Sequence, residues 1–130
     1  MNESFQCPGF EAAGIAAGIK KGHIPDLGLI YSRTPATVAA MFTRNKIQAA
    51  PVLVTKNRAT AGSARAVVVN AGNANCCTGP QGVADALAMT AATAAALKLP
   101  PEQVLVASTG VIGAPLPSFI KAISYRIVSS

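Results

Sequence analysis

Apolar positions in the first half of the chain fall in short runs separated by turn residues. We predict strands at residues 27–31, 37–42, 52–55 and 66–70. The run at residues 66–69 is nearly continuous and rich in valine, which is typical of a strand covered on both faces. Upstream, Gly14, Gly18 and Gly22 are spaced four apart and would weaken a helix. We therefore expect a glycine-rich extended strand there, leading into a turn at Pro25 and Asp26.

From residue 80 the pattern changes to that of a long helix. Thr78 and Pro80 suit an N-cap and a first turn, while Asp85 and Lys98 lie at the ends that the helix dipole favours for their charges. The predicted buried stripe consists of Val83, Leu87, Ala91 and Ala94. Because the other faces are mostly Ala and Met, we expect this helix to be packed on nearly all sides.

A strand at residues 104–107 and a short helix opening at Pro117 complete the predicted elements. The short helix would carry Phe119, Ile120 and Ile123. Several strands, one long helix, one strand and a further helix indicate an α+β fold, with helix packed on a mainly antiparallel sheet.

Composition and charge exclude several classes of protein. Hydrophobic residues make up 51% of the 130 residues and charged residues 12%, which excludes a disordered chain and suggests apolar surface reserved for a partner. The net charge of +6 is scattered, without the basic stripe and aromatics of a nucleic-acid-binding surface. The longest uncharged apolar helical stretch, residues 86–97, is shorter than the roughly 20 residues that span a bilayer. No secretory signal is evident, so we expect a cytoplasmic protein with neither nucleic acid nor membrane as a partner.

The cysteines do not have the spacing of a metal site. Cys7, Cys76 and Cys77 form no CxxC pair, and His23 is the only histidine. We predict reduced thiols, no metal site and no bound cofactor.

Two segments are candidates for chemistry. Residues 70–79, "NAGNANCCTG", fit either a tight strand-to-helix turn or the polar wall of a site. Residues 108–113, "STGVIG", fit either a turn or a pair of hydrogen-bond donors that stabilises an oxyanion. Neither segment has the glycine and lysine spacing of a phosphate-binding loop.

These segments carry a resemblance to a known family. "VVVNAGNANCCTGPQGVADALAMTAATA" followed by "VLVASTGVIGAPLP" closely resembles the ornithine acetyltransferases, the bifunctional glutamate N-acetyltransferases of arginine biosynthesis. The upstream segments "GFEAAGIAAGIK", "DLGLIYS", "MFTRNKIQAAPV" and "ARAVVVN" resemble the same family in the same order. The similarity extends from about Pro8 to Pro117.

The resemblance implies a self-processing acyltransferase with a two-layer α/β, amidohydrolase-like fold. Such enzymes move an acetyl group from N-acetylornithine to glutamate, and bifunctional members also use acetyl-CoA as a substrate. They cut themselves into two chains, and the new N-terminal Thr of the second chain becomes the nucleophile. The oxyanion hole maps onto Thr109 and Gly110 of this sequence, whereas the resemblance assigns the asparagine-rich segment only a supporting role.

The sequence departs from the family after Pro117, where it continues "SFIKAISYRIVSS". We interpret residues 1–117 as the N-terminal, alpha-chain part of the acetyltransferase domain and residues 118–130 as an atypical tail. The family's substrate-binding Thr and Lys, its cleavage site and its nucleophilic Thr have no counterpart here. The chain would then be an incomplete part that is inactive alone, with substrate-binding residues unknown and a complementary beta chain as partner in a hetero-oligomer. The alternative is a non-catalytic fragment or small binding module without transferase activity.

Overall fold

The computed structural model describes residues 7–120 and residue 127. In chain order the elements are β1 (Phe10–Ile15), β2 (Leu27–Thr37), α1 (Ala50–Ala59), β3 (Ser63–Asn73), α2 (Gly79–Leu97), a 3-10 helix (Pro101–Gln103) and β4 (Val104–Val111). Phe119 and Ile120 are helical, as predicted, whereas Ile123 lies outside the described residues.

The strands form one mixed sheet in the order β1-β2-β3-β4. The β1–β2 and β2–β3 pairs are antiparallel, whereas β3 and β4 are parallel. Helix α2 belongs to the long crossover that a parallel pair requires. The prediction of an α+β fold with a mainly antiparallel sheet is confirmed.

Two of the predicted strands are wrong. Residues 52–55 belong to α1, where Ala50, Pro51 and Val54 form the buried side. A short apolar run does not distinguish a helix from a strand by periodicity alone, and here a proline at the helix start favours the helix. Residues 38–42 are outside any strand. Thr37 pairs with Ser63 at the start of β3, and the Val38 N–H donates to the carbonyl of Gly62 in the turn before that strand.

The glycine-rich segment is only partly a strand. Strand β1 ends at Ile15, and Gly18 and Gly22 lie in the following loop with positive φ angles of 94° and 86°. Glycine adopts this region without the steric cost of a Cβ atom, so the spacing reflects turn geometry and not a continuous strand.

Helix α2 has nearly the predicted extent but buries a different face. Leu87 is 43% exposed and Ala91 is exposed, so the predicted stripe is wrong apart from Ala94 and the half-buried Val83. The buried positions are Gly82, Asp85, Ala86, Met89, Thr90, Thr93 and Ala94. Threonines can face inward because the hydroxyls of Thr90 and Thr93 donate hydrogen bonds to carbonyls of the preceding turn. The expectation that α2 is packed on nearly all sides is also wrong for the described residues.

The free edge of β4 is closed by side chains of α1. The Thr55 hydroxyl donates to the Val106 carbonyl at 2.6 Å and accepts from the Val106 N–H at 3.0 Å. Arg58 donates to the Val104 carbonyl at 2.7 Å. These bonds satisfy edge groups that would otherwise be open to another strand.

The helices cover one face of the sheet, and the core includes Leu29, Val68, Met89 and Val106. The opposite face carries Ala12, Ile30, Val67 and Leu105 in one cross-strand row. We call the surface formed by this row, together with Val69 and Ala107, the open sheet face. Ile30 is 44% exposed, so part of this apolar row lies at the surface of the described residues.

No helix among the described residues combines the length and hydropathy of a bilayer-spanning segment.

The buried carboxylate of Asp26 holds the loop between β1 and β2. It is 3% exposed and accepts hydrogen bonds from the N–H groups of Ala17 at 2.6 Å and Lys20 at 2.8 Å. Burial raises the pKa of this carboxyl, but the N–H groups of Lys20, Ala17, Ile19 and Gly18 together outweigh that effect and lower the pKa below its usual value.

Asp26→Asn is therefore expected to lower the free energy of unfolding by about 1–3 kcal/mol at pH 7, because the amide cannot accept from both sides. The depressed pKa stabilises the fold above the unfolded value of about 3.9, and this stabilisation is lost as pH falls through the lower folded pKa. In urea unfolding, the free energy of unfolding should fall less between pH 7 and pH 3 for the variant than for the wild type. Glu11→Gln, at an exposed ion pair, is the control and should cost less than about 1 kcal/mol. An equal fall in the free energy of unfolding with and without Asp26 would show that this carboxylate does not contribute to the pH dependence of stability.

Candidate active site

The two candidate segments meet at one edge of the sheet. Because β3 and β4 are parallel, their carboxyl ends lie side by side, with Asn70 opposite Ser108, Ala71 opposite Thr109 and Gly72 opposite Gly110. Strand β4 runs to Val111, so the segment that begins at Ser108 is not a turn at its start. The interpretation of this segment as a turn is therefore wrong for residues 108–111. Its interpretation as a pair of hydrogen-bond donors stays a prediction.

Asn70 joins this strand end to its neighbour. Its side chain is 0% exposed, its amide nitrogen donates to the Asn73 carbonyl at 2.8 Å, and its amide oxygen accepts from the Ser108 hydroxyl at 2.5 Å. One buried amide therefore fixes both the bend after β3 and the residue that precedes Thr109. Both ends of the amide are satisfied, which a buried polar group requires.

Asn73 and Asn75 extend the same network. The Asn73 amide donates to the carbonyls of Ala114 and Pro115, and its oxygen accepts from the Asn75 N–H. The Asn75 amide donates to the Gly82 carbonyl at 2.8 Å and accepts from the Thr78 hydroxyl at 2.7 Å. Thr78 is the N-cap residue of α2, as predicted, but its hydroxyl bonds to Asn75 and makes no cap bond to the helix.

The three asparagines are consequently structural. Their side chains are buried and bonded to backbone and side-chain groups of the protein, so they form a cross-linked strand-to-helix loop and not a polar wall facing solvent. We call Asn70, Asn73, Asn75, Thr78 and Ser108 the asparagine network. Sequence reasoning identified its loop but not the Ser108 contact, because the parallel register that brings residue 108 beside residue 70 is not visible in either segment.

Gly72 and Gly110 form a second constraint at the same edge. They are opposite each other, with φ angles of 111° and 130°. A Cβ atom on Gly110 would lie 2.6 Å from the Asn73 nitrogen and 2.7 Å from the Gly72 Cα, and one on Gly72 would lie 2.7 Å from Ile19 Cγ2. Both positions therefore require glycine, since both the space and the backbone angle exclude a side chain.

Thr109 and Gly110 are exposed beside this rigid edge. The Thr109 hydroxyl has no hydrogen-bond partner among the described residues. Peptide groups along a strand alternate between its two sides, and the N–H and carbonyl of Val106 face the outer edge of β4, where α1 lies. The same alternation turns the N–H of Gly110 toward the outer edge. Two donors on consecutive residues are thus available at the end of β4.

The loop containing Cys76 and Cys77 borders these donors. The Ala74 N–H donates to the Val111 carbonyl and the Gly113 N–H donates to the Cys76 carbonyl at 2.8 Å. Burial and a hydrogen bond with Cys77 raise the pKa of the Cys76 thiol. Within residues 7–120 and residue 127, no group of three or more His, Cys, Asp or Glu side chains is arranged to hold a metal ion.

Comparison with solved structures identifies the class of protein to which this fold belongs. The chain superposes on a crystal structure of the arginine biosynthesis bifunctional protein ArgJ from Bacillus halodurans with a TM-score of 0.87 and 44% identity, covering 92% of this chain and 63% of that one. It also superposes on ornithine acetyltransferase from Mycobacterium tuberculosis, complexed with ornithine, with a TM-score of 0.89 and 46% identity, covering 94% and 67%. The fold is therefore that of the ArgJ enzymes.

Comparison with the sequences of known proteins leads to the same class. The ArgJ proteins of Caldanaerobacter subterraneus subsp. tengcongensis and Syntrophotalea carbinolica, each named an arginine biosynthesis bifunctional protein, are 51% and 54% identical over 109 residues. The ArgJ family model matches residues 11–127, and the chain belongs to the ArgJ family. It corresponds to the N-terminal portion and spans 27–28% of the length of these two relatives. The resemblance that the two segments carry is confirmed.

Removing the central amide tests the asparagine network. Asn70→Ala leaves the Asn73 carbonyl and the Ser108 hydroxyl without their partner, and we expect a loss of about 2–3 kcal/mol in the free energy of unfolding. Asn57→Ala on the exposed side of α1 is the matched control, with an expected change within about 0.5 kcal/mol. Similar losses from the two variants in urea titrations would show that the network does not stabilise the edge.

Substitution of Gly110 tests the close approach of the two strands. Gly110→Ala adds both an unfavourable φ angle and a clash with the backbone of β3, so we expect a loss of about 3 kcal/mol or more. Gly113→Ala shares a positive φ of 83° but meets open space, and should cost only about 1–2 kcal/mol. Thermal unfolding of both variants measures the difference, and equal Tm values would argue against the close approach.

Proposed function

We propose that this chain supplies the oxyanion-stabilising part of an acetyltransferase that moves an acetyl group from N-acetylornithine to glutamate. Acetyl-CoA is proposed as a further donor substrate. The nucleophilic Thr lies on a complementary chain outside this sequence, so the chain alone is inactive. Membership of the ArgJ family supports the reaction class, and the chain's short span relative to its relatives supports the need for a complement.

The observation that carries the proposal is the donor pair at the end of β4. Thr109 offers a hydroxyl without a partner among the described residues, and Gly110 offers an N–H at the outer edge. Acyl transfer passes through a tetrahedral intermediate whose oxygen carries negative charge, and fixed donors aimed at that oxygen stabilise the transition state. The neighbouring Asn70–Ser108 bond and the two glycines fix these donors before substrate arrives.

The chemistry divides between the two chains. The N-terminal Thr of the complementary chain uses its own amine as a base, so its hydroxyl attacks the acetyl carbonyl of N-acetylornithine and ornithine leaves. Thr109 and Gly110 stabilise the oxyanion in this step and again when glutamate's amine attacks the acetyl-enzyme. The open sheet face is the proposed contact surface for the complement, because its apolar row of Ala12, Ile30, Val67 and Leu105 lies on the face opposite the helices.

Reconstitution tests this proposal. The chain is co-expressed with the complementary chain of an ArgJ relative, and transfer from N-acetylornithine to glutamate is measured. Thr109→Ala should reduce kcat about 10²–10³-fold, since one oxyanion donor is lost. Thr109→Ser keeps the hydroxyl and should retain most of the activity.

Thr60→Ala is the matched control, because the Thr60 hydroxyl is exposed and bonds only to the Asn57 carbonyl at the end of α1. Its kcat should equal that of the wild type. Reconstituted activity that is insensitive to Thr109→Ala would overturn the site assignment, whereas transfer by the isolated chain would overturn the missing nucleophile.

A further inference from the structure

We propose that Cys76 and Cys77 form a vicinal dithiol site that chelates a monosubstituted trivalent arsenical through both sulfur atoms. The two Sγ atoms are 3.9 Å apart, and Cys77 is exposed while Cys76 is half-buried. Cys7 is also free and exposed, but it is the first described residue and is far from the pair in sequence. The pair therefore offers two thiols to one ligand, and Cys7 offers one.

The loop that carries the pair is fixed on both sides. The Cys76 carbonyl accepts from the Gly113 N–H at 2.8 Å, and the Thr78 hydroxyl donates to Asn75 at 2.7 Å. Cys77 has a φ angle of 58°, in the left-handed region. Because the backbone before and after the pair is anchored, the two thiols are held together before any ligand binds, which lowers the entropic cost of chelation.

The sulfur separation fits a shared ligand atom better than a disulfide. A disulfide needs the sulfurs about 2.0 Å apart, roughly half of the observed 3.9 Å. Two sulfurs bound at about 2.3 Å to one soft centre lie about 3.8 Å apart in tetrahedral geometry, and closer on the pyramidal arsenic(III) atom. Chelation by arsenic therefore draws the two thiols together by roughly half an ångström from 3.9 Å. The pair is consequently spaced to bridge a soft, thiol-seeking atom with little movement of the loop.

The number of ligands selects arsenic over zinc. A structural zinc ion takes four protein ligands, and the described residues contain no third His, Cys, Asp or Glu near the pair. An arsenic(III) atom with one carbon substituent needs only two sulfurs. The reaction with an arsenic oxide is balanced: two S–H protons go to the oxygen, which leaves as water, and two As–S bonds form while arsenic stays trivalent.

An apolar hollow beside Cys77 accommodates the organic substituent. Cys77 lines a cavity of about 340 Å³ together with Ile47, Leu53, Pro80 and Val83. Ile47 and Leu53 are 66% and 46% exposed, so an aryl ring placed there would cover apolar surface that now faces solvent. The site therefore favours a phenyl-substituted arsenical.

Phenylarsine oxide added to the full 130-residue chain tests the site. Intact mass should show one phenylarsenic group gained with loss of one water. A monothiol such as 2-mercaptoethanol should remove it poorly, whereas the dithiol 2,3-dimercaptopropanol should remove it readily. Cys76→Ala and Cys77→Ala should each make the adduct about 100-fold more sensitive to the monothiol, because chelation is lost. Cys7→Ala should leave the wild-type resistance unchanged.

Three results would overturn the proposal. One is ready removal of the adduct from the wild type by the monothiol, and another is resistance that persists without Cys77. The third is equal resistance in a denaturing concentration of urea, because the anchored loop would then contribute nothing to the chelate. Lower resistance in urea supports the arrangement that the fold imposes. None of these readouts depends on acetyl transfer, so they test the dithiol site independently of the proposed function.

Discussion

The buried amide of Asn70 is the contact on which the candidate active-site edge of this protein depends. It lies inside the parallel pair, where its nitrogen holds the bend after β3 and its oxygen holds Ser108 of β4. A half-satisfied amide at 0% exposure would cost free energy instead of contributing it. The arrangement therefore works only when β3, β4 and the loop are all in place, which couples the end of the sheet to the start of α2.

This coupling fixes the position of the residues at the end of β4. Ser108 is bonded to Asn70, so the next residue, Thr109, is positioned by a strand and not by a free turn. The glycine pair then brings the two backbones closer than any side chain allows. Donors carried by such an edge lose little freedom when they meet a developing charge, which is the physical requirement for oxyanion stabilisation.

Local chemistry made part of this structure predictable. The valines of β3 and the proline at the start of α2 were sufficient to place those two elements, and the Ser-Thr-Gly segment was identified as a donor candidate. The predicted charge signals were wrong, because the first turn of α2 carries no acidic residue and its last turn no basic one. The strand at residues 52–55 was wrong because a run of only four residues has no helical or extended signature of its own. The face of α2 was wrong because Thr90 and Thr93 satisfy their hydroxyls within the helix and so become compatible with the core. The Asn70–Ser108 contact depends on strand register, which only the assembled sheet fixes.

The polar residues at this edge divide into two groups by their hydrogen bonds. The side chains of the asparagine network form hydrogen bonds within the protein, and its members are buried or half-buried. Thr109 differs, since it is exposed and its hydroxyl has no partner among the described residues. The same few residues therefore combine a bonded scaffold of buried amides with an exposed hydroxyl that is available as a donor. The division explains why the asparagine-rich segment is structural, although it is the more conspicuous of the two in the sequence.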